Sequence, residues 1–207
     1  RNAFYYVLDR KTGQYLSAKA FAKQTWAKAI DDAGRPIRVP NTSPTEEGTV
    51  VYPSVPGATN WFSPSYSPQT KLFYVSTREN EGGIYFKGEA EYKPGSQFNA
   101  GGFRSIPGSE PHGAIRALDA FTGDQKWEFK LQSPPWAGVL STAGGLVFGG
   151  TNEGDVFALD ATAGKLLWRF QTGGPIISNP MTYLSGGRQQ VAIAAGGAIF
   201  AFGLDSE

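Results

Sequence analysis

The stretch GDVFALDATAGKLLWRF, Gly154 to Phe170, has a near-copy 41 residues upstream in GAIRALDAFTGDQKWEF, Gly113 to Phe129. Each carries Ala-Leu-Asp, a glycine four residues after the aspartate and a tryptophan four after the glycine. A repeat of about forty residues marks a chain built from stacked copies of one supersecondary unit, none of which buries its apolar face alone. That period restricts the fold more than any other property of the sequence.

Within the second copy, Leu146 to Gly149, Asp155 to Leu159 and Lys165 to Phe170 are short apolar runs separated by GTNEG and DATAG, the pattern of strands joined by tight turns. Asp160 is placed to accept hydrogen bonds from backbone N–H groups of the turn it opens. Gly164 can take the positive φ that such a turn needs without a Cβ penalty. Asp119 and Gly123 repeat the arrangement. Trp127 and Trp168 fall in the following strand, where a large indole packs against the neighbouring sheet, and both are expected to be buried between units.

The frame recurs twice in eroded form. AFYYVLDRKTGQYLSA keeps Leu8, Asp9, Thr12 and Gly13 but has Ser17 at the tryptophan position, and GGAIFAFGL ends with Gly203 in the place of the aspartate. The chain is therefore expected to hold two whole four-stranded units with a partial one at each end, as one partial domain over residues 1–207. Two interruptions, about 17–60 and 78–112, are too long for simple connections. The first contains AKAFAKQTWAKAI, where a short helix is expected; the second has no clear periodicity. Four-stranded units at this spacing stack radially as blades of a β-propeller, whereas the coils of a parallel β-helix are shorter.

Composition agrees and narrows the chemistry. With 27 glycines, 14 prolines and little 3.6-residue periodicity, an all-β, turn-rich fold is expected. Lysine and arginine total 19 against 18 acidic residues, well mixed, so neither a nucleic-acid groove nor a polybasic membrane patch is expected. The absence of cysteine excludes disulfides, thiolate metal sites and cysteine nucleophiles, and leaves the compartment open. RNAFYYVLDRKTG has neither the apolar core nor the cleavage site of a signal peptide, and the sequence reads as mature or excised protein.

The frame Ala117-x-Asp119-x-x-Thr122-Gly123-x-x-x-Trp127 resembles the tryptophan-docking motif of quinoprotein alcohol dehydrogenases, eight-bladed propellers that bind pyrroloquinoline quinone (PQQ). Ala158 to Trp168 matches it with Ala163 in place of threonine. RNAFYYVLDRKTGQYLSA, YPSVPGATNWFSPSYSPQT and PPWAGVLSTAGGLVFGGTNEGDVFALDATAGKLLWRFQTGGPIISNPMTY are similar, in order, to the C-terminal part of that family. The resemblance implies oxidation of an alcohol by hydride transfer to PQQ, electrons passed to a cytochrome, and a periplasmic home.

Three positions inherit cofactor roles from the resemblance. Arg1 falls where a basic residue polarises the quinone oxygens, a catalytic as well as a binding role; Asn60 where an asparagine hydrogen-bonds the cofactor; and Trp136, after Pro134 and Pro135, where a tryptophan contacts it. A frayed terminus, a turn former and a packing aromatic are the plain alternatives. Ala3 stands where the family has glycine. The family's calcium or lanthanide ligands, its aspartate base and its tryptophan floor are expected outside this chain, so no metal ligand is assigned in it. The remaining N-terminal part of the propeller is the expected partner, with self-association through open strand edges expected in its absence.

Other chemistry has little support. His112 is the only histidine, which leaves a metal cluster or a catalytic triad without partners. Asp31/Asp32, Glu46/Glu47, Glu79/Glu81 and Glu89/Glu91 are expected to be solvated loop charges. A rival from another class is a non-enzymatic propeller with PQQ-like repeats, a protein-binding scaffold.

Overall fold

The computed structural model describes residues 1–98 and 100–204. Among these there is no helix, and every pairing between named strands is antiparallel. The chain opens with a two-stranded sheet of β1 (Phe4–Leu8) and β2 (Tyr15–Ala20). It next forms a hairpin of β3 (Ala27–Ile30) and β4 (Pro36–Arg38), then β5 (Thr49–Val51). A four-stranded sheet follows, made of β6 (Ser65–Ser67), β7 (Leu72–Glu79), β10 (His112–Asp119) and β11 (Gln125–Leu131), with β8 (Gly83–Phe86) and β9 (Gly102–Ser105) between β7 and β10 in sequence. A second contains β12 (Leu140–Ser141), β13 (Leu146–Gly150), β14 (Asp155–Asp160) and β15 (Leu166–Gln171). The last sheet has three strands, β16 (Met181–Ser185), β17 (Arg188–Ala195) and β18 (Ala198–Gly203). These are propeller blades, two whole and two partial.

The turn chemistry holds in the three copies that keep the aspartate. Asp160 accepts from the N–H groups of Thr162 and Ala163, both at 2.8 Å, and from the Thr162 hydroxyl at 2.6 Å. Asp119 accepts from Phe121 and Thr122, and Asp9 from Lys11 and Thr12. Gly13, Gly123 and Gly164 have φ of 73°, 71° and 67°, the left-handed region where glycine costs least. The residue before each aspartate also carries a register shift, at Val7/Leu8, Ala117/Leu118 and Ala158/Leu159. One local motif, a bulge followed by an aspartate-capped turn, is thus repeated.

The sheets pack face to face. Tyr74, Ile115, Trp127 and Leu131 of the first whole sheet meet Val147, Phe157 and Leu159 of the second in the largest buried cluster. Trp127 donates its indole N–H to Ala161 O at 3.0 Å and lies on Gly164, where a Cβ would approach to 2.5 Å of its ring. Tyr74 donates to the same carbonyl at 3.0 Å. At the preceding junction, where Ser17 replaces the tryptophan, Tyr5 takes over part of this role by donating to Ala120 O at 3.0 Å.

Two expectations need correction. No helix forms around Ala18 to Ile30: β2 runs to Ala20 in register with Phe4, and β3 begins at Ala27. Tertiary bonds override the helix preference of the alanines and lysines. Phe21 N–H donates to Ala3 O at 2.9 Å, Trp26 donates to Asn2 O at 3.0 Å, and the Gln24 side chain bonds both backbone groups of Ala27. Trp168 is not buried like Trp127: it is 38% exposed against 8%. It packs on Phe202, ring centroids 5.0 Å apart, but among the described residues no capped turn closes over it.

The long segments also do something the sequence did not suggest. β5, from the first, pairs with β8 from the second, and β8 pairs with β9, so the two share one three-stranded sheet.

Candidate functional site

The loop between β5 and β6 brings Arg1 and Asn60 together. Arg1 O accepts from Ala58 N–H at 3.0 Å, and Arg1 Nη2 donates to Val55 O at 2.5 Å. The approach requires Gly57, which has φ of 82° and whose Cβ would sit 2.8 Å from Arg1 O. Asn60 donates through Nδ2 to Pro56 O at 2.7 Å and accepts from Trp61 N–H at 2.9 Å. It therefore shapes the loop, as the turn-former reading held, and still keeps one amide hydrogen. Ala3, at the glycine position of the resembling family, adopts φ of 71°, which accounts for a glycine there.

Arg1 and Asn60 line one cavity of about 410 Å³ between β1 and the first whole sheet, with Phe21, Phe62 and Val75 among its walls. Trp136 is not in that wall but is next to it. Its ring lies 6.1 Å from Phe62, edge-on, and 6.5 Å from Trp61, the neighbour of Asn60. Among the described residues its indole N–H has no protein partner, and neither do the remaining guanidinium N–H groups of Arg1. Arg1 and Asn60 thus share one cavity with Trp136 beside it, and each of the three has a donor hydrogen unused among the described residues.

The segment that carries Trp136 is fixed carbonyl by carbonyl. Pro134 O accepts from Asn152 Nδ2 at 2.8 Å, Pro135 O from Arg78 Nη1 at 2.8 Å and Ala137 O from Ser76 Oγ at 2.8 Å. Just beyond, Val139 N–H donates to Ser63 O at 2.9 Å, and Gly138 packs against Asn179, whose side chain also accepts from Ser63 N–H. These contacts join the inner ends of three sheets.

Arg78 was not foreseen. It is 6% exposed, stands over the Trp136 ring at 4.2 Å, and forms a two-point ion pair with Glu81 at 2.7 and 3.0 Å. Glu79 and Glu81 are likewise not solvated loop charges. Glu79 is buried with Oε1 2.8 Å from Arg116 Nη1, an ion pair set off the line of the N–H bond. Burial pushes its carboxyl upward, and Arg116 opposes the shift. The available signal was the run Ser76-Thr77-Arg78-Glu79, which continues an apolar strand and so enters the interior with its polar groups needing partners.

Other places offer less. A smaller cavity of about 210 Å³ near β11 and β14 contains Glu153, Asp155 and Arg169, but Arg169 and Asp155 pair with each other at 3.3 Å. His112 is exposed at the start of β10. Among the described residues no three His, Cys, Asp or Glu side chains converge as a metal site.

Antiparallel four-stranded sheets that stack face to face around a buried tryptophan are the blades of a β-propeller. Comparison with known proteins places the chain more narrowly. Residues 111–205 match a family model described as outer membrane protein assembly factor BamB. The quinoprotein alcohol dehydrogenase PedH of Pseudomonas putida is 39% identical over 95% of the chain and 34% of its own length. The solved quinohemoprotein alcohol dehydrogenase of Comamonas testosteroni superposes with a TM-score of 0.88 at 32% identity, over 94% of the chain and 31% of that structure. A europium-containing methanol dehydrogenase gives 0.84 at 36%, over 93% and 34%. The chain belongs to the quinoprotein alcohol dehydrogenase family and spans about a third of the length of these relatives.

Proposed function

We propose that the protein containing this chain oxidises an alcohol in the periplasm with PQQ and passes the electrons to a cytochrome, and that this chain is its C-terminal blade set. The 207 residues are then one partial domain of an eight-bladed propeller, interrupted at about 17–60 and 78–112. The observation that carries the reading is the convergence of Arg1 and Asn60 on one cavity beside Trp136. PQQ is a planar ortho-quinone bearing carboxylates, and a guanidinium, an amide and an indole N–H, all with hydrogens to give, fit such an oxygen-rich anion.

When bound, PQQ supplies the hydride acceptor for the alcohol. Arg1 would stabilise negative charge developing at the quinone oxygens, Asn60 would fix the ring by its free amide hydrogen, and Trp136 would donate to an oxygen at the rim. The calcium or lanthanide ion of such enzymes and the base that takes the hydroxyl proton would be held by the rest of the protein. Without that remainder the chain should self-associate through its open strand edges, which light scattering would detect.

The BamB-described match favours a second reading, a protein-binding scaffold. The two separate in one experiment. Titration of the full-length protein with PQQ should show binding that Asn60→Ala and Trp136→Ala each weaken, together with dye-linked alcohol oxidation in calcium or a lanthanide. No PQQ binding by the unmodified protein would leave the scaffold.

A further inference from the structure

We infer that Arg78 is the positioning residue for Trp136, an inference that rests on the cofactor-binding reading above. Arg78 sits between the two halves of the site and holds each by a different group. Its backbone N–H donates to Ala58 O at 2.8 Å, which fixes the loop that carries Asn60. Its side chain donates to Pro135 O and covers one face of the Trp136 ring. Phe62 meets that ring edge-on and Trp61 lies tilted beside it. The indole is thereby boxed by a cation and two aromatic rings.

A buried guanidinium is costly unless it is paired and hydrogen-bonded. Here Glu81 satisfies it from the far side through a two-point fork, which also prevents Arg78 from swinging away from the indole. The cation draws electron density from the π face and so makes the indole N–H a better donor. Trp136 therefore owes both its orientation and its donor strength to Arg78. Glu81 acts one step further out.

The test uses the full-length protein labelled with fluorinated tryptophan, the Trp136 resonance being identified by its loss in Trp136→Phe. In Arg78→Gln that resonance should shift or broaden while the indole resonances other than that of the neighbouring Trp61 stay in place, and PQQ should bind about tenfold more weakly or worse, the loss expected for one desolvated cation–π contact with its hydrogen bond. Arg78→Lys keeps the charge but not the planar fork and should recover part of both effects. Glu81→Gln should move them in the same direction by less. An unmoved Trp136 resonance in Arg78→Gln, or a shift shared by every indole, would overturn the proposal. If Trp136→Phe leaves PQQ affinity unchanged, the cofactor role of Trp136 fails, while the resonance still decides whether Arg78 holds the ring.

Discussion

Trp127 and Trp168 occupy the same place in two copies of one repeat, yet they end in different environments. Trp127 is enclosed: Tyr74 lies beside it at 5.7 Å, Gly164 lies under it and Ala161 accepts its N–H. Trp168 has a sheet against it, with Phe170, Phe200 and Phe202 clustered nearby, but no glycine platform and no carbonyl partner among the described residues. Among the described residues the last sheet has three strands, and its far side shows Met181, Tyr183 and Ile199 to solvent, Ile199 at 80%. The comparison shows that the tryptophan is only half of a junction. The other half is the aspartate-capped turn of the next blade, which presents both the flat glycine and the carbonyl.

The largest effect expected from this difference is in Trp127→Ala. Thermal and denaturant unfolding should show a loss of about 3–5 kcal/mol, the range for removing a buried large aromatic. Equal stability of variant and parent would dissolve the distinction between the junctions. Trp168→Ala should cost less, about 1–2 kcal/mol, because the side chain gives up only part of its contact with water. A loss as large as that of Trp127→Ala would mean that the aromatic cluster alone makes a full junction. Tyr74→Phe removes one of the two donors to Ala161 O and should cost about 1 kcal/mol, with no change at the second junction.

The smallest effect is shared by the three copies that keep the aspartate and appears in acid. The carboxyls of Asp9, Asp119 and Asp160 are held below the ordinary aspartate value of 3.8, chiefly by the Thr12 N–H, the Phe121 N–H and the Thr162 hydroxyl respectively. The folded state therefore binds fewer protons than the unfolded one. The stabilisation is complete above pH 3.8 and declines as pH falls through the depressed folded values. Unfolding followed against pH should show this decline weakened in Asp160→Asn, whereas an unchanged profile would remove the carboxyl from the turn's energetics.

The strands around the repeat were legible because their signals are local. Leu146 to Gly149 and Asp155 to Leu159 were bounded by turn residues whose chemistry requires no distant partner, and the structure extends each by one residue. Arg1, Asn60 and Trp136 were singled out by resemblance, and neither spacing nor composition would have joined them. Arg78 was missed because its meaning depends on Pro135 and Trp136, which lie 57 and 58 residues away in sequence. The helix expected around Ala18 to Ile30 came from residue preference in a segment whose Phe21 and Thr25 N–H groups donate to Ala3 O and Tyr52 O, and whose Trp26 indole donates to Asn2 O, instead.

By itself, then, the sequence determined the repeat, the aspartate-capped turns and the strands they join, since a bond from Ala163 N–H to the Asp160 carboxylate spans only three residues and needs no distant partner. Tertiary structure alone decided which tryptophan is buried, that β5 joins β8 and β9, and that Arg78 lies on Trp136. Those outcomes depend on surfaces contributed by separate sheets, where burial and hydrogen bonding offset the entropy of ordering only after the sheets have met.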